Sequence, residues 1–361
     1  MVVQIRKEDI PDKGIFSVLD WVENIERNSF RDNFMALLTA VLLGLFLLSF
    51  RLGRYDVPPG EVVRILLSRL APISQTWTDK MAAAVLNVRL PRILLACMVG
   101  GCLATAGTAY QSVFRNPMAA PDILGASSGA CFGAALAILL GFSRSSVTAS
   151  AFVFSLASVV LVYLIAQRAR GSQVMNILLS GVMIGSLFSA CTSYVKLVAD
   201  PTNQLPEITY WLMGSLSGAR LRDVAFGIVP MLIGLVPLYA LRWRINLLTL
   251  GEEEARTMGV NTGRLRLVVI LCATVLTATG VAISGMIGWV GLVIPHLSRK
   301  LVGNDCRYLL PVSTVFGAIF LLLVDNVSRN LLAVEIPIGI LTAFVGAPFF
   351  LYLMTRKEHV L

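Results

Sequence analysis

The sequence predicts an all-α polytopic membrane protein with about ten transmembrane helices. Its 361 residues are 56% hydrophobic and 14% charged, and the mean hydropathy is +0.77. Apolar runs near or above about 18 residues recur along the chain, and each is long enough to cross a hydrocarbon core about 30 Å thick as a helix. The segments of about ten residues with alternating hydrophobicity that a transmembrane barrel needs do not occur.

Charge and ligand composition argue against two classes of function. The net charge of +9 is interpreted as an excess of Lys and Arg in cytoplasmic loops, because no Lys/Arg block resembles a nucleic-acid patch. Two histidines, His296 and His359, and six cysteines without a CxxC pair offer no ligand set for a metal site. We therefore expect this chain to bind no nucleic acid, no metal ion and no other cofactor.

The predicted domain organisation is a polar leader (1–33), a transmembrane domain (34–356) and a short tail (357–361). The stretch IFSVLDWVENI in the leader has apolar residues at helical spacing, so it is either a short interfacial helix or a poorly ordered tail. The eighth predicted span is short and ends in a Pro-His pair, so a partial crossing is an alternative for it. The ten predicted spans are 34–50, 90–114, 123–141, 147–166, 174–198, 223–241, 265–284, 287–302, 308–332 and 336–354.

The distribution of basic residues predicts that both termini are cytoplasmic, because cytoplasmic loops carry the excess of Lys and Arg. With the N-terminus inside, thirteen basic residues fall on the inner side: Arg115, Arg168, Arg170, Arg242, Arg244, Arg256, Arg264, Arg266, Arg299, Lys300, Arg307, Arg356 and Lys357. The outer loops after the third span hold five: Arg144, Lys196, Arg220, Arg222 and Arg329. The segment between the first two spans does not fit this distribution, because it would lie outside although it is rich in basic residues. These are Arg51, Arg54, Arg64, Arg69, Lys80, Arg89 and Arg92. Either the orientation is wrong or these outer charges have a function.

A charged segment, Leu248–Arg264 (LTLGEEEARTMGVNTGR), lies between two apolar spans. Glu252–Glu254 favour a helix N-terminus, and Gly259 is placed to end the helix. A surface helix with an apolar edge and charges is typical of a docking element for another protein, and the alternative is an ordinary charged loop. The predicted apolar edge consists of Leu247, Leu250, Ala255, Met258 and Val260.

Several motifs together resemble the FecCD-type permeases, the ABC importer family for iron complexes and cobalamin. EEARTMG (Glu253–Gly259) is similar to the EAA-x-x-x-G loop of ABC importer permeases, the coupling helix that sits in a cleft of the ATPase subunit. The leader before residue 34 lies outside the pattern. Five further motifs follow the family's order: NVRLPRILL (Asn87–Leu95), RNPMAAPDILGASSGA (Arg115–Ala130), GWVGLVIPHLSRKLVG (Gly288–Gly303), VDNVSRNL (Val324–Leu331) and IPIGILTAFVGAPFFLYLM (Ile336–Met354).

The resemblance implies the type II ABC importer permease fold, with a pore between two copies of the permease, expected here as a homodimer. It implies a separate ABC ATPase, which binds ATP and Mg, and a periplasmic or lipid-anchored substrate-binding protein. The chain has no GxxxxGK[ST] motif and no Gly-Lys dipeptide, which is consistent with a separate motor. By motif match, the ATPase-coupling residues are Leu250, Gly251, Glu252, Glu253, Glu254, Ala255, Arg256 and Gly259.

The resemblance also assigns a role to three outer arginines. In the family, acidic residues on the binding protein meet arginines on the outer face of the permease, and the matching positions are Arg89, Arg92 and Arg329. Outer positive charge would steer an acidic partner and fix its register. Two alternatives stay open: Arg89 and Arg92 also fit a role as interface anchors, and Arg329 lies four residues after Asp325, which permits an intrahelical ion pair.

A cytoplasmic gate and an outer vestibule are implied in the same way. The turn RNPMAAPD is interrupted by two prolines, and the segment 200–219 resembles the short helix that lines the family's outer vestibule. The vestibule candidates Tyr210, Trp211 and Met213 either face the cargo or belt the membrane interface. The second half of the gate matches less closely, because GSQVM departs from the family's small hydroxyl residues. The gate positions are Asn116, Met118, Gln173, Val174 and Met175.

The resemblance predicts a transport subunit rather than an enzyme. We expect a multi-pass protein of a prokaryotic inner membrane that imports a metal-chelate nutrient, with a ferric siderophore favoured over haem or cobalamin. The alternative is an ion-gradient-driven secondary transporter that uses Asp325, because an acidic residue deep in a span suggests function by default. We favour a structural pair between Asp325 and Arg329, since secondary transporters typically need more such groups.

Overall fold

The computed structural model describes residues 15–53, 55–69 and 71–355, with side chains from Phe30 onward except at Glu252, Leu353 and Met354. The first fourteen residues of the predicted leader and the predicted tail 357–361 lie outside the described residues. Within the described ranges the secondary structure is helical and contains no strand. The predicted all-α class is therefore confirmed.

The described residues form fourteen α-helices, together with a π-helical turn (Ala84–Arg89) and a 3₁₀ turn (Pro121–Leu124). The α-helices are α1 (Ile15–Arg51), α2 (Pro59–Leu67), α3 (Asp79–Ala83), α4 (Leu90–Phe114), α5 (Ala126–Leu139), α6 (Arg144–Arg168), α7 (Gln173–Val198), α8 (Gln204–Leu212), α9 (Leu221–Leu250), α10 (Glu252–Thr257), α11 (Thr262–Ser284), α12 (Val290–Val302), α13 (Cys306–Asn330) and α14 (Ile338–Thr355).

Each of the ten predicted spans falls on one of these helices. By length and composition, seven helical segments of the described chain can cross a membrane, and α5 and part of α14 are shorter apolar helices. The eighth predicted span, α12, has 13 residues. At 1.5 Å per residue it is about 20 Å long and falls short of a hydrocarbon core of about 30 Å.

Two helices extend beyond their predicted bounds. The first span is part of α1, whose helical backbone begins at Ile15 and runs without a break to Arg51. The sixth span was predicted to end at residue 241, but α9 continues to Leu250 and contains 30 residues. At that length α9 measures about 45 Å, so its last turns project from the hydrocarbon core. Burial of Ile245 and Leu248 against the rest of the protein stabilises this extension.

Helix α4 is the centre of the fold, and it packs against α9, α11, α12 and α13. Small residues let the backbones meet: a Cβ built on Gly100 would lie 2.3 Å from the carbonyl oxygen of Gly317 on α13. The small-residue pattern of α5 acts in the same way, because a Cβ on Gly133 would lie 2.6 Å from the carbonyl oxygen of Ser150 on α6. Close packing through small residues is the usual route to helix association in lipid.

Candidate coupling, gating and docking sites

The charged segment is resolved into three elements instead of one helix over residues 248–264. Helix α9 ends at Leu250, Gly251 reverses the chain with φ +152°, and the six-residue α10 follows. Residues with a side chain rarely adopt this φ, so the backbone conformation favours glycine where the long helix turns into the short one.

The end of α10 follows the prediction for Gly259. The Val260 amide donates to the carbonyl of Ala255 (3.0 Å), and the Gly259 amide donates to that of Arg256 (2.9 Å). This pair of bonds is a Schellman motif, in which the residue after the helix adopts a left-handed conformation. Gly259 has φ +79°, and the motif fixes the direction of the chain as it leaves α10.

The predicted single apolar edge of this segment is wrong. Ala255 is fully buried and Val260 is partly buried, whereas Leu250 and Met258 are 55% and 60% exposed. The turn at Gly251 puts Leu250 on a different helix axis from Met258, so one helical periodicity cannot describe both. We call the exposed residues around this turn the coupling surface: Leu250, Glu253, Glu254, Arg256 and Met258.

An asparagine that the sequence analysis did not single out holds the end of α9. Asn246 Nδ2 donates to Asp305 Oδ1 (2.5 Å), and its Oδ1 accepts from the Cys306 amide (2.6 Å). Asp305 is also paired with Arg307, whose Nη2 lies 2.6 Å from Oδ2. Burial alone would raise the pKa of Asp305, but hydrogen bonds from Arg307 and Asn246 hold it below the usual value. The base of the coupling surface is thus fastened to the loop between α12 and α13.

The two halves of the predicted gate lie at the ends of helices on one side of the membrane domain, because the chain between them consists of two helices, α5 and α6, that run in opposite directions. After α4, Arg115 adopts a left-handed conformation with φ +50°, and Asn116 Oδ1 accepts from the Met118 amide (2.8 Å). Met118 is exposed. At the start of α7, Gln173 Oε1 accepts from Arg266 Nη1 (2.9 Å).

The remaining gate positions differ in exposure, since Met175 is exposed while Val174 packs partly buried against the core. The 3₁₀ turn that follows the first half of the gate contacts α7 directly, because a Cβ on Gly181 would lie 2.2 Å from the carbonyl oxygen of Ile123. A backbone contact therefore joins the turn after the first predicted gate half to the helix that carries the second.

The three predicted docking arginines are buried, with Arg89, Arg92 and Arg329 only 4%, 5% and 7% exposed. Arg92 Nε donates to Asp325 Oδ1 (2.8 Å), and Arg92 Nη1 donates to both carboxylate oxygens of Glu335 (2.9 Å each). We call these five residues, Arg89, Arg92, Asp325, Arg329 and Glu335, the arginine cluster. Their placement argues against the interface-anchor alternative, because the guanidinium groups turn into the protein.

Arg329 and Arg89 tie the cluster to the end of α1. Arg329 Nη2 donates to the Ser49 carbonyl (2.9 Å) and to Asn326, whose Nδ2 in turn donates to Ser49 Oγ (2.7 Å). Arg89 donates to the backbone carbonyls of Phe50 and Tyr55. A contact between Arg89 or Arg329 and another protein would first have to break these bonds.

The predicted intrahelical pair is present, since Arg329 Nε lies 3.8 Å from Asp325 Oδ2. Arg92 is nevertheless the closer partner of Asp325, from a position 233 residues away in sequence. Glu335 is the cluster member that the sequence analysis missed, and its side chain is 29% exposed. The available signal was an acidic residue immediately before the IPIG motif. Sequence spacing alone cannot show that this residue faces Arg92.

The vestibule candidates border two cavities near α8. Tyr210 and Trp211 line a cavity of about 210 Å³ together with Arg144 and Glu207. Met213 lines a larger one of about 520 Å³ with Met286 and Trp289. Both the lining role and the interface role remain compatible with these positions. Among the described residues, no group of three or more His, Cys, Asp and Glu could hold a metal ion.

Comparison with known proteins gives consistent matches across the chain. Residues 41–356 match the FecCD transport family. The chain is 41% identical to the molybdate import system permease protein of Haemophilus influenzae, over 89% of this chain and 95% of that protein. It is 39% identical to the hemin transport system permease protein of Yersinia pestis, over 78% and 86% respectively. A solved structure, described as an inward-facing conformation of a metal-chelate type ABC transporter, matches with a TM-score of 0.80 at 40% identity, over 90% of this chain and 99% of that one.

Proposed function

Because the chain belongs to the FecCD transport family of ABC transporter permeases, we propose that it is the pore-forming subunit of an importer for a metal chelate. Two copies would form the pore in a prokaryotic inner membrane, with both termini cytoplasmic. A separate ATPase would supply the energy, and a substrate-binding protein would deliver the cargo. The observation that carries the coupling role is the coupling surface, which exposes two glutamates of α10 together with Leu250 at the end of α9 and Met258 just after α10.

The cargo is proposed to be a metal held in an organic ligand, with the ferric siderophore class first and haem or cobalamin as other members. The cavity beside Met213 supports this, because it is lined by Met286, Trp289 and Phe344 and by no charged side chain. Apolar and aromatic walls suit an organic chelate better than a small hydrated anion. Molybdate is the second candidate, favoured by the 41% identity to a molybdate import permease.

The arginine cluster is proposed to receive an acidic residue of the binding protein. Two guanidinium groups there, those of Arg92 and Arg329, form ion pairs with the carboxylates of Asp325 and Glu335. The third, that of Arg89, donates to backbone carbonyls. Glu335 covers Arg92 from the exposed side. An incoming carboxylate would replace Glu335 at Arg92, which changes a contact within the chain into a contact with the partner.

The alternative of secondary transport has little support in the site. Asp325 is fully buried between two arginines, whereas a carrier carboxylate must exchange its ion with a water-filled pathway. The family match also favours an ATP-driven importer. We therefore retain Asp325 as a structural residue.

Co-purification from native membranes tests the coupling role. We expect an ABC ATPase to co-purify with the wild-type chain in mild detergent. The double variant Glu253→Lys/Glu254→Lys should lose it, because two charges on the coupling surface are reversed. The matched control Glu207→Lys/Asp79→Lys reverses two exposed acids elsewhere and should retain the ATPase. Purification without an ATPase, together with solute movement by the chain alone on a proton or sodium gradient, would contradict the importer function.

Uptake measurements separate the two cargo candidates. Cells with and without the permease would be given a ⁵⁵Fe-labelled siderophore or ⁹⁹Mo-labelled molybdate. Permease-dependent uptake of iron supports the chelate proposal. Uptake of molybdate alone would replace it with the second candidate.

A further inference from the structure

A polar pocket of about 400 Å³ lies at the end of the protein that carries the coupling surface. Its walls come from the end of α4, the end of α9, the end of α12 and the loop after α12. Apart from Asn116, which is also a predicted gate position, its lining residues have no role in the functions assigned above. The lining residues that matter for its chemistry are Gln111, Arg115, Asn116, Thr249, Arg299 and Asn304.

The pocket carries positive charge without an internal counter-charge. Arg115 and Arg299 both line it, no acidic residue does, and neither arginine forms an ion pair within the described ranges. The carboxylate beside Asn304 in sequence is Asp305, which is already held by Arg307 and Asn246. Arg299 is half-buried, and an anion stabilises a guanidinium group in such a position, while exposed Arg115 adds a second positive charge to the same wall. An anionic ligand therefore fits this cavity.

The hydrogen-bonding groups of the pocket are mostly donors. Gln111 Oε1 accepts from Arg299 Nη1 (3.0 Å), which orients one face of that guanidinium group and leaves its other N–H groups to bind a ligand. Asn116 uses its oxygen on the Met118 amide, so its NH₂ group is the end that remains available. The hydroxyl hydrogen of Thr249 is used on the Asn246 carbonyl (2.6 Å). Forked guanidinium donors with an amide donor are the arrangement that binds phosphate-like groups.

The pocket also connects two moving parts of the proposed transporter. Arg115 begins the turn that contains the first half of the gate, and Thr249 lies two residues before Gly251, where α9 turns into the coupling surface. A ligand that bridges these positions would stabilise one arrangement of the gate relative to α9. This consequence rests on the proposed function, whereas the binding itself does not.

We propose that this pocket binds a tetrahedral oxyanion group of phosphate chemistry through Arg115 and Arg299. The group is carried either by a free inorganic oxyanion or by the headgroup of an anionic lipid. Occupancy links the gate turn to the base of the coupling surface.

Binding is measured on the purified full-length chain without its ATPase, so the result does not depend on the importer proposal. In the first arm, the chain in nanodiscs of neutral lipid is dialysed to equilibrium against ³²P-labelled inorganic phosphate. In the second arm, the chain is mixed with vesicles containing phosphatidylglycerol, and retained lipid is counted by native mass spectrometry. Saturable binding of one group per chain is expected in one arm, and that arm identifies the source.

Three arginine variants test the assignment. Arg115→Gln and Arg299→Gln should each weaken binding about tenfold or more, because each removes a charged hydrogen bond. Arg244→Gln is the matched control, since Arg244 is an exposed arginine of α9 that does not line the pocket, and it should bind like wild type. Arg115 is also exposed, so its variant is expected to fold even if the Arg299 variant does not.

Absence of saturable binding in both arms would overturn the proposal. Equal loss of affinity in Arg244→Gln would overturn it as well, because it would reduce the effect to general surface charge. If no ATPase co-purifies with the chain while phosphate or lipid still binds through Arg115, the anion-binding site is supported. The proposed coupling role would then be wrong.

Discussion

Neutralising Asp325 should destabilise the protein more than any other single charge change in the arginine cluster. Asp325 is fully buried, with Arg92 at 2.8 Å and Arg329 at 3.8 Å. Asp325→Asn keeps the shape of the side chain and removes its charge. Arg329 then has no carboxylate within ion-pair distance among the described residues, and Arg92 retains Glu335 alone.

The expected decrease in the free energy of unfolding follows from the number of charged groups that lose their ion-pair partner. Removing one member of a buried ion pair costs about 3–5 kcal/mol, because the remaining charge stays in a poorly solvated site. Asparagine can still accept one hydrogen bond from Arg92, which places Asp325→Asn near the lower end, at about 3 kcal/mol. Adding Arg329→Gln removes the stranded charge, so the double variant should recover about 0.5–3 kcal/mol relative to additivity.

The assay is reversible unfolding of the purified chain in lipid–detergent micelles, run on wild type, the two single variants and the double variant. A control change at an exposed arginine, Arg64→Gln, should stay within about 0.5 kcal/mol of wild type. A cost below about 1 kcal/mol for Asp325→Asn would refute the reasoning. Strict additivity of the two changes would refute it too, because the charges would then not interact.

Three further results are expected. Gly259→Ala should destabilise the end of α10 by about 1–2 kcal/mol, because alanine must adopt the left-handed conformation there; a protease-sensitivity assay of the coupling surface would detect it. Gly100→Ala should cost about 1–3 kcal/mol or more in the unfolding assay, because its Cβ overlaps the backbone of α13. Gly288→Ala has no atom within 4 Å of its Cβ and should be close to neutral. Glu335→Gln should raise the affinity for the binding protein about tenfold, a change of about 1.4 kcal/mol, in a titration of the two purified proteins; an unchanged or lower affinity would contradict the exchange of carboxylates.

The sequence was sufficient for features that depend on local patterns. Hydrophobic length located a helix at each of the ten predicted positions, seven of them in helical segments of the described chain that are long enough to span a membrane. The glycine after EEARTM predicted the end of α10. It was insufficient where contacts join distant segments. The pairing of Arg92 with Asp325 and Glu335 bridges more than two hundred residues, and no spacing rule reaches that far.

Charge patterns did not predict the contacts of individual basic side chains. Arg89 was expected at the outer face as a docking residue, whereas its guanidinium group donates to the backbone carbonyls of Phe50 and Tyr55 within the fold. The amino-acid composition gives the number of charged residues, but it does not show which groups form hydrogen bonds or ion pairs with them. The end of α9 was missed for a related reason, since its extension depends on contacts with the rest of the fold: the burial of Ile245 and Leu248 and the hydrogen bond of Asn246 to Asp305.

The contact between α4 and α13 has a mechanical consequence. These helices touch through their backbones at Gly100 and Gly317, share a hydrogen bond between Thr105 and Thr314 (2.7 Å), and are clamped at one end by Arg92 and Asp325. The two helices cannot slide or separate without breaking contacts along their length, so they form a rigid pair at the centre of the fold. A conformational change of the protein would therefore leave α4 and α13 together and alter the packing of the helices around them.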